Sequence, residues 1–391
     1  MSLEERRVRL ARRHRLAPAF RALDVTAAAR SVVALHGTDP IAVYLSGWAR
    51  TENGFTVADM ERALYDERSL VKHLAMRRTL FVFPRETLSV AQSGASERVA
   101  AAERRRLVRE VERAGLHADG ESWLSDASAQ VLSALAGGRE ATSSELRAEI
   151  PVLDGSITIG EGKWGGPVPV GPRVLTVVSA AGRIVRASNA ALWTTSRPRW
   201  ATMRDWLGHE LAAPGEAEGT ARLVEAWLRA FGPGTLADVR WWLGSTVGAV
   251  RRALADVCAV EVELDGGVGY VLPDDLEPTD APEPWAALLP PLDPTTMGWY
   301  ERDWYLGPHR PQLFDSNGNA GPTAWWNGRT VGGWRQASGG EIELQLLEDV
   351  GAEATGALER EAGRLTEWLG GTRALPRFPS PLSKQDAATP G

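Results

Sequence analysis

Three side chains with different chemistry stand within four residues of one another: the imidazole of His36, the hydroxyl of Thr38 and the carboxylate of Asp39. An imidazole with an ordinary pKa of about 6.5 accepts a hydrogen bond or a proton at neutral pH. A hydroxyl orients water but does not serve as a base. A carboxylate here either caps a helix or acts as an electrostatic partner to positive charge. Such a set can hold a water molecule and aim it at an electrophilic carbon. The other histidines, His14, His73, His117, His209 and His309, are scattered and show no metal-ligand spacing. The single cysteine, Cys258, allows neither an internal disulfide nor a cysteine-based zinc site, and its apolar junction predicts burial. No phosphate-cradling glycine loop is present, and Gly160-Glu161-Gly162 lacks the context of a dinucleotide site. Neither a metal nor a cofactor is therefore expected.

Local elements must aim these groups. Thr26 to Leu35 is rich in Ala, Val and Leu at helical spacing, which predicts a helix ending at His36-Gly37. Thr38-Asp39-Pro40 then forms a polar kink, and Pro40 opens a second helix with Asp39 as its cap. Without a substrate the same joint reads as a capped helix–helix turn.

The joint resembles the motif of the winged-helix DNA glycosylases of the AlkZ and YcaQ type. That motif is Gln-x-Gln or Gln-x-Asp, then Asp-Pro, a spacer, and a Leu-x-x-Trp-Ala-Arg helix. Asp39-Pro40 and Leu45-Ser46-Gly47-Trp48-Ala49-Arg50 fit it without a gap, whereas His36 and Thr38 replace the two polar motif residues. Met76-Arg77-Arg78-Thr79-Leu80-Phe81 stands where the family has Met-Arg-Gly-Thr-Leu-His. Further matching words are Leu288 to Asp293, Gly298 to Trp304, Asn317 to Pro322 and Asn327 to Arg335, so the resemblance runs from about residue 24 to about 375.

Composition sets limits. The chain of 391 residues is 43% hydrophobic and 24% charged, which is ordinary for a globular protein. At this length two or three domains, each with its own core, are expected. No apolar run approaches the roughly 18 residues that would span a bilayer, and the Arg-rich start reads as no secretory signal. A cytoplasmic protein, nucleoid-associated when bound to DNA, is expected. The net charge of −6 gives no general attraction for nucleic acid, so local basic groups must provide it. Arginines cluster at Arg6 to Arg15, at Arg104 to Arg109, and at Arg197, Arg199 and Arg204. The second cluster, interleaved with Glu103 and Glu110, reads as a solvated helix face. Of the 16 tryptophans, Trp206, Trp227, Trp304 and Trp334 are expected in the core, and Trp48 beside the motif is expected to shape a channel.

The remaining pattern consists of helix-rich units that each end in a hairpin. Helices are read at Val57 to Tyr65 and Ser69 to Ala75, before a strand at Arg78 to Phe83. A capping box at Thr142 to Glu145 opens the next unit. A Gly- and Pro-rich insertion with Lys163-Trp164 follows, then a helix from Arg173 to Ala181 and strands at 184–187 and 197–200. The third unit has helices at 221–231, 236–243 and 247–257, followed by alternating strands at 260–264 and 269–272. Helix–helix–helix–hairpin is a winged-helix order. The fold class is thus α+β, with three tandem winged-helix units in a C-shaped arrangement and a C-terminal β-rich region. The boundaries are a basic N-terminal helix (1–23), three units (24–141, 142–220 and 221–280), the β-rich region (281–375) and a tail (376–391).

The resemblance implies a DNA repair enzyme, a monofunctional glycosylase that hydrolyses the N-glycosidic bond of N7- or N3-alkylated or crosslinked purines. In that reading His36 positions water or acts as base, Thr38 orients the water, and Asp39 is cap or electrostatic partner. Trp48, Arg50, Arg77, Arg78 and Arg302 are the expected DNA-binding residues, although an Arg302–Asp293 salt bridge is an equal alternative. Damaged duplex DNA is the expected partner of a monomeric protein. Two other readings stay open: a non-catalytic winged-helix DNA-binding protein, such as a lesion sensor or transcription regulator, and a protein whose winged helices serve only as packing units.

Overall fold

A computed structural model describes residues 1–159 and 166–384. Lys163-Trp164, Gly160 to Gly162 and the end of the tail lie outside the described residues. The first helix, α1 (Leu3–Arg13), is capped by Ser2, and its arginines are used internally. Arg9 is buried against Glu5 at 2.6 Å and also donates to the Glu277 carbonyl at 2.8 Å.

The helix expected up to His36 ends earlier. Helix α2 (Val25–Ser31) starts on the Asp24 cap and stops before Val32-Val33, where Val33 takes φ 66°. Leu35–His36 is instead strand β1. A short apolar run has no period of its own, and adjacent β-branched residues favour the strand. Helix α3 (Pro40–Arg50) begins on the proline with Asp39 accepting from the Ile41 N–H at 3.2 Å. Helix α4 (Val57–Glu61) opens on a Thr56/Asp59 capping box and continues as a π-turn to Asp66. The helix expected from Ser69 is strand β2 (Leu70–Ala75), because its residues pair throughout with β3 (Thr79–Pro84). The order β1-β3-β2 places His36 beside Phe81 and Leu35 beside Val82.

Helices α5 (Leu88–Ala91), α6 (Glu97–Arg113) and α7 (Gly120–Ala134) follow. Strand β4 (Ala141–Thr142) leads into α8 (Ser143–Glu149) through the expected capping box. After the β5 (Ser156–Ile159) and β6 (Gly166–Pro169) pair come α9 (Gly171–Ala180), the β7 (Ile184–Asn189) and β8 (Pro198–Thr202) hairpin, and α10 (Met203–Leu207). Next, α11 (Glu216–Phe231), α12 (Leu236–Leu243) and α13 (Val247–Asp256) precede the β9 (Val260–Leu264) and β10 (Gly267–Val271) hairpin. Cys258, expected to be buried, is exposed with φ 52°, since it sits on the turn that leaves α13.

The C-terminal region holds the four-stranded sheet β11 (Ala286–Leu289), β12 (Thr323–Trp326), β13 (Arg329–Gln336) and β14 (Ile342–Leu346) in chain order. Asn327-Gly328, both at positive φ, make the β12–β13 turn. Short helices α14 (Asp303–Leu306) and α15 (Arg310–Leu313) lie between β11 and β12, and α17 (Pro381–Lys384) ends the described chain. A helix of 19 residues, α16 (Gly351–Leu369), packs on this sheet.

Buried apolar side chains form two clusters among the described residues, not one for each expected unit. One is confined to α6–α9 and its hairpin, around Leu107, Leu124, Val174 and Trp200. The other runs from Leu10 through Val43, Trp227 and Trp325 to Leu382. Helix α11 lies in this second cluster, where Trp227 is fully buried.

Candidate active site

Strand alternation fixes which way the motif faces. Lys72, Val82 and Leu35 are cross-strand neighbours on one face of the β1-β3-β2 sheet, and His73, Phe81 and His36 share the other. The His36 and Phe81 ring centroids are 5.5 Å apart with 60° between planes. The His36 imidazole is 7% exposed, and its buried Nδ1 has no hydrogen-bond partner among the described residues. Burial, aided by the charge of Arg77 and opposed by Asp293, pushes its pKa down to about 3. The ring is therefore neutral at physiological pH. Thr38 is half-buried and its hydroxyl has no bonded partner among the described residues.

Asp39 does not face an open site. One carboxylate oxygen accepts from the Ile41 N–H, and the other accepts from the Arg377 N–H at 2.9 Å. Burial raises its pKa against these bonds. The residue caps α3 and ties it to the C-terminal segment, and both oxygens are occupied.

Arg50 and Trp48, expected at DNA, are inside the protein. Arg50 is 0% exposed and grips Asp293 through Nη1 at 2.8 Å and Nη2 at 2.6 Å. Ser46 and the Thr295 N–H complete the carboxylate shell at 2.7 and 2.8 Å. Burial disfavours the Asp293 charge, but Arg50 and these donors outweigh it and hold the carboxyl below its usual range. His14 Nδ1 extends the network through the Thr295 hydroxyl at 2.8 Å. The indole of Trp48 is buried, with the Arg364 guanidinium 3.7 Å from its ring centroid. Their roles are structural.

Arg302, also expected at DNA, is 4% exposed and so lies inside the protein, and it does not bond to Asp293, whose oxygens Arg50 already holds. Its Nε donates to the Trp299 carbonyl at 2.6 Å, and its guanidinium lies 4.7 Å from the Trp241 ring centroid. Arg77, at the tip of the β2–β3 hairpin, lies over the same indole at 3.8 Å. Burial, with a smaller contribution from Arg302, pushes the Arg77 pKa down to about 10, so it remains a cation. Neither arginine has a carboxylate within ion-pair distance among the described residues. Arg78 is exposed beside Arg77 and pairs with Glu103 at 2.9 Å. The second arginine cluster is paired on the surface, as in Arg106–Glu110.

Trp241 and Tyr300 escaped the sequence reading. Tyr300 is 54% exposed, with its ring centroid 6.5 Å from that of Trp241. Asp238 fixes the loop by accepting from the Tyr300 and Glu301 N–H groups at 2.8 Å each. The tandem Trp241-Trp242 on α12 was the available signal. Adjacent helical side chains diverge by about 100°, so one can enter the core while the other meets the surface.

An α+β chain with a neutral imidazole near the exposed Arg77 guanidinium, which lacks a carboxylate partner among the described residues, is suited to act on a polyanion. Its architecture is similar to that of the Streptomyces sahachiroi DNA glycosylase AlkZ, with a TM-score of 0.73 at 19% sequence identity, over 97% of this chain and 98% of that one. The family model for AlkZ-like DNA glycosylases matches residues 29–368, and the chain belongs to that family. No curated protein matches the sequence.

Proposed function

We propose that this AlkZ-like protein hydrolyses the N-glycosidic bond of purines alkylated at N7 or N3, or crosslinked through them, in duplex DNA. Alkylation places positive charge on the base and makes it a competent leaving group without a strong acid. What the protein must add is a held water and a placed sugar. The single observation that carries this reading is the neutral His36 imidazole with its buried, unbonded Nδ1.

His36 and Thr38 hold the water against C1′. The water oxygen bonds to C1′, the bond from C1′ to the purine nitrogen breaks, and the water proton passes to solvent. A ring with a pKa of about 3 is a weak base, so positioning is its role. Arg77, over Trp241, receives backbone phosphate, and Arg78 adds a surface contact. Asp39 contributes by fixing the angle at which α3 leaves the motif. The order α11-α12-α13-β9-β10 supports a winged-helix unit.

One observation favours a binding-only protein: among the described residues no free carboxylate flanks His36, since Asp39 and Asp293 are both fully bonded. Incubation with N7-methylguanine duplex and with a crosslinked duplex separates the two readings. Abasic sites are expected. Tight binding with no base released would assign the protein to lesion sensing.

A further inference from the structure

Among the described residues every Phe, Tyr and Trp side chain is buried or half-buried except that of Tyr300. Tyr300 is 54% exposed, and its hydroxyl has no bonded partner among the described residues. Its backbone, by contrast, is clamped. The preceding Trp299 is 2% exposed, packs edge-on against Phe231 and Trp304 at 5.2 and 5.0 Å, and donates to the Phe231 carbonyl at 3.1 Å. The fully buried Asp238 accepts from the Tyr300 and Glu301 N–H groups, and Arg302 Nε donates to the Trp299 carbonyl. The Glu301 carboxylate lies near Asp238 and Arg6.

Contacts run from this loop to the candidate active site. The Tyr300 ring centroid is 6.5 Å from that of the half-buried Trp241, and the exposed Arg77 guanidinium lies over the same indole at 3.8 Å. Arg77 is on the turn that enters β3, the strand whose Phe81 ring contacts His36. The Arg77 charge is felt at His36 as well. A flat ring held out to water on a fixed backbone gains little from the fold, whereas a nucleobase offers it a matching π-face.

We propose that Tyr300 is a positioning residue that inserts beside the target nucleotide, stacks on the neighbouring base and keeps the damaged base out of the stack while its sugar meets His36. The inference rests on the reading of the protein as acting on DNA and adds a residue outside the motif. Taking a base out of a duplex loses its stacking and pairing, and an inserted ring replaces part of what the neighbouring base loses. Arg77 binds the phosphate of the same strand and sets the depth of entry. Because the stacking energy offsets the distortion, removing the ring lowers the rate of base release more than the affinity.

The test is single-turnover base release from N7-methylguanine duplex by the full chain and by Tyr300→Ala and Tyr300→Phe, with affinity measured in parallel. Tyr300→Ala should release base about tenfold or more slowly with a smaller loss of affinity, and Tyr300→Phe should stay close to wild type. Placing the lesion opposite an abasic spacer, where it is already poorly stacked, should shrink the Tyr300→Ala defect. A second readout is 2-aminopurine set in turn on either side of a 2′-fluoro lesion that resists cleavage. Its emission should change when the wild-type protein binds and not when Tyr300→Ala binds. Melting temperatures should be alike, since the side chain is exposed. Release by Tyr300→Ala at the wild-type rate overturns the proposal and leaves the DNA reading intact, as does a defect that the spacer does not relieve. Tyr300→Phe as slow as Tyr300→Ala also overturns it, because the hydroxyl would then be what acts. An emission change that depends on Tyr300 in a wild-type protein that releases no base keeps the insertion and removes the hydrolysis. Failure of the wild type to bind duplex removes both.

Discussion

His36 and Phe81 are directly paired across β1 and β3, with their rings in contact at 5.5 Å. Phe81 stands where the resembling family carries a histidine, and His36 where it carries a glutamine. The imidazole and its apolar neighbour thus stand side by side on one face of the strand pair. An apolar ring beside the imidazole deepens its desolvation, which keeps it neutral.

The pH profile follows from that burial. The neutral ring accepts a hydrogen bond, and protonation abolishes this only as pH falls toward the folded pKa of about 3. Base release measured well below the melting temperature should stay flat from pH 8 to pH 6. A single ionisation near pH 6.5 in that profile would show an exposed, titrating His36.

Stability should respond to acid more steeply than activity. His14 and His36, pushed down to about 3, and His73, pushed down to about 4, are all buried and neutral. The unfolded chain takes up their protons near its ordinary pKa of about 6.5, before the folded one does. Their stabilising contribution is present above that value and is lost as pH falls toward the folded values. The slope is at most about 1.4 kcal/mol per pH unit for each ring. Melting temperatures should be level above pH 7 and decline below pH 6; a level curve down to pH 5 would contradict the burial of these rings.

Asp293→Asn should be severe without touching substrate. It leaves the fully buried Arg50 guanidinium without its counter-charge, which costs about 3–5 kcal/mol. Denaturant unfolding reads this directly. A loss under about 1 kcal/mol, the range of exposed pairs, would mean that the pair is hydrated.

Arg78→Gly should separate stability from binding. Arg78 holds φ 61°, a conformation that glycine takes freely, and its ion pair to Glu103 is partly exposed. The variant should match or exceed the wild-type protein in stability, by up to about 1 kcal/mol. The slope of log affinity against log salt should fall by about one. An unchanged slope would remove Arg78 from the interface.

What the sequence made legible was mainly local. Asp39-Pro40, the Thr142–Glu145 box and the Asn327-Gly328 turn depend on neighbours a few residues away, and the structure has all three. The Val32–Leu35 and Ser69–Ala75 segments were read as helix because short apolar runs carry no decisive period. The strand state of Leu35–His36 comes from its partners Val82 and Phe81 on β3, 47 and 45 residues further on, and that of Leu70–Ala75 from pairing with the same strand. Arg50 closes a helix and looks like a surface cation, yet its partner Asp293 is 243 residues away. Arg302 was placed near the interface, but its partners Trp241 and Phe314 come from α12 and the end of α15. Such long-range pairings leave no trace in spacing.

The most direct measurement is base release from N7-methylguanine duplex by the wild-type protein, His36→Ala and Thr38→Ala, with DNA affinity measured in parallel. The wild-type protein should release the base. His36→Ala should lower the rate by roughly 10²-fold, the usual scale of acid–base or water-positioning help, with affinity little changed. Thr38→Ala should lose less, because solvent can replace one hydroxyl. Release by the wild-type protein at a rate that His36→Ala leaves unchanged would contradict the assignment of His36 as the residue that positions the attacking water.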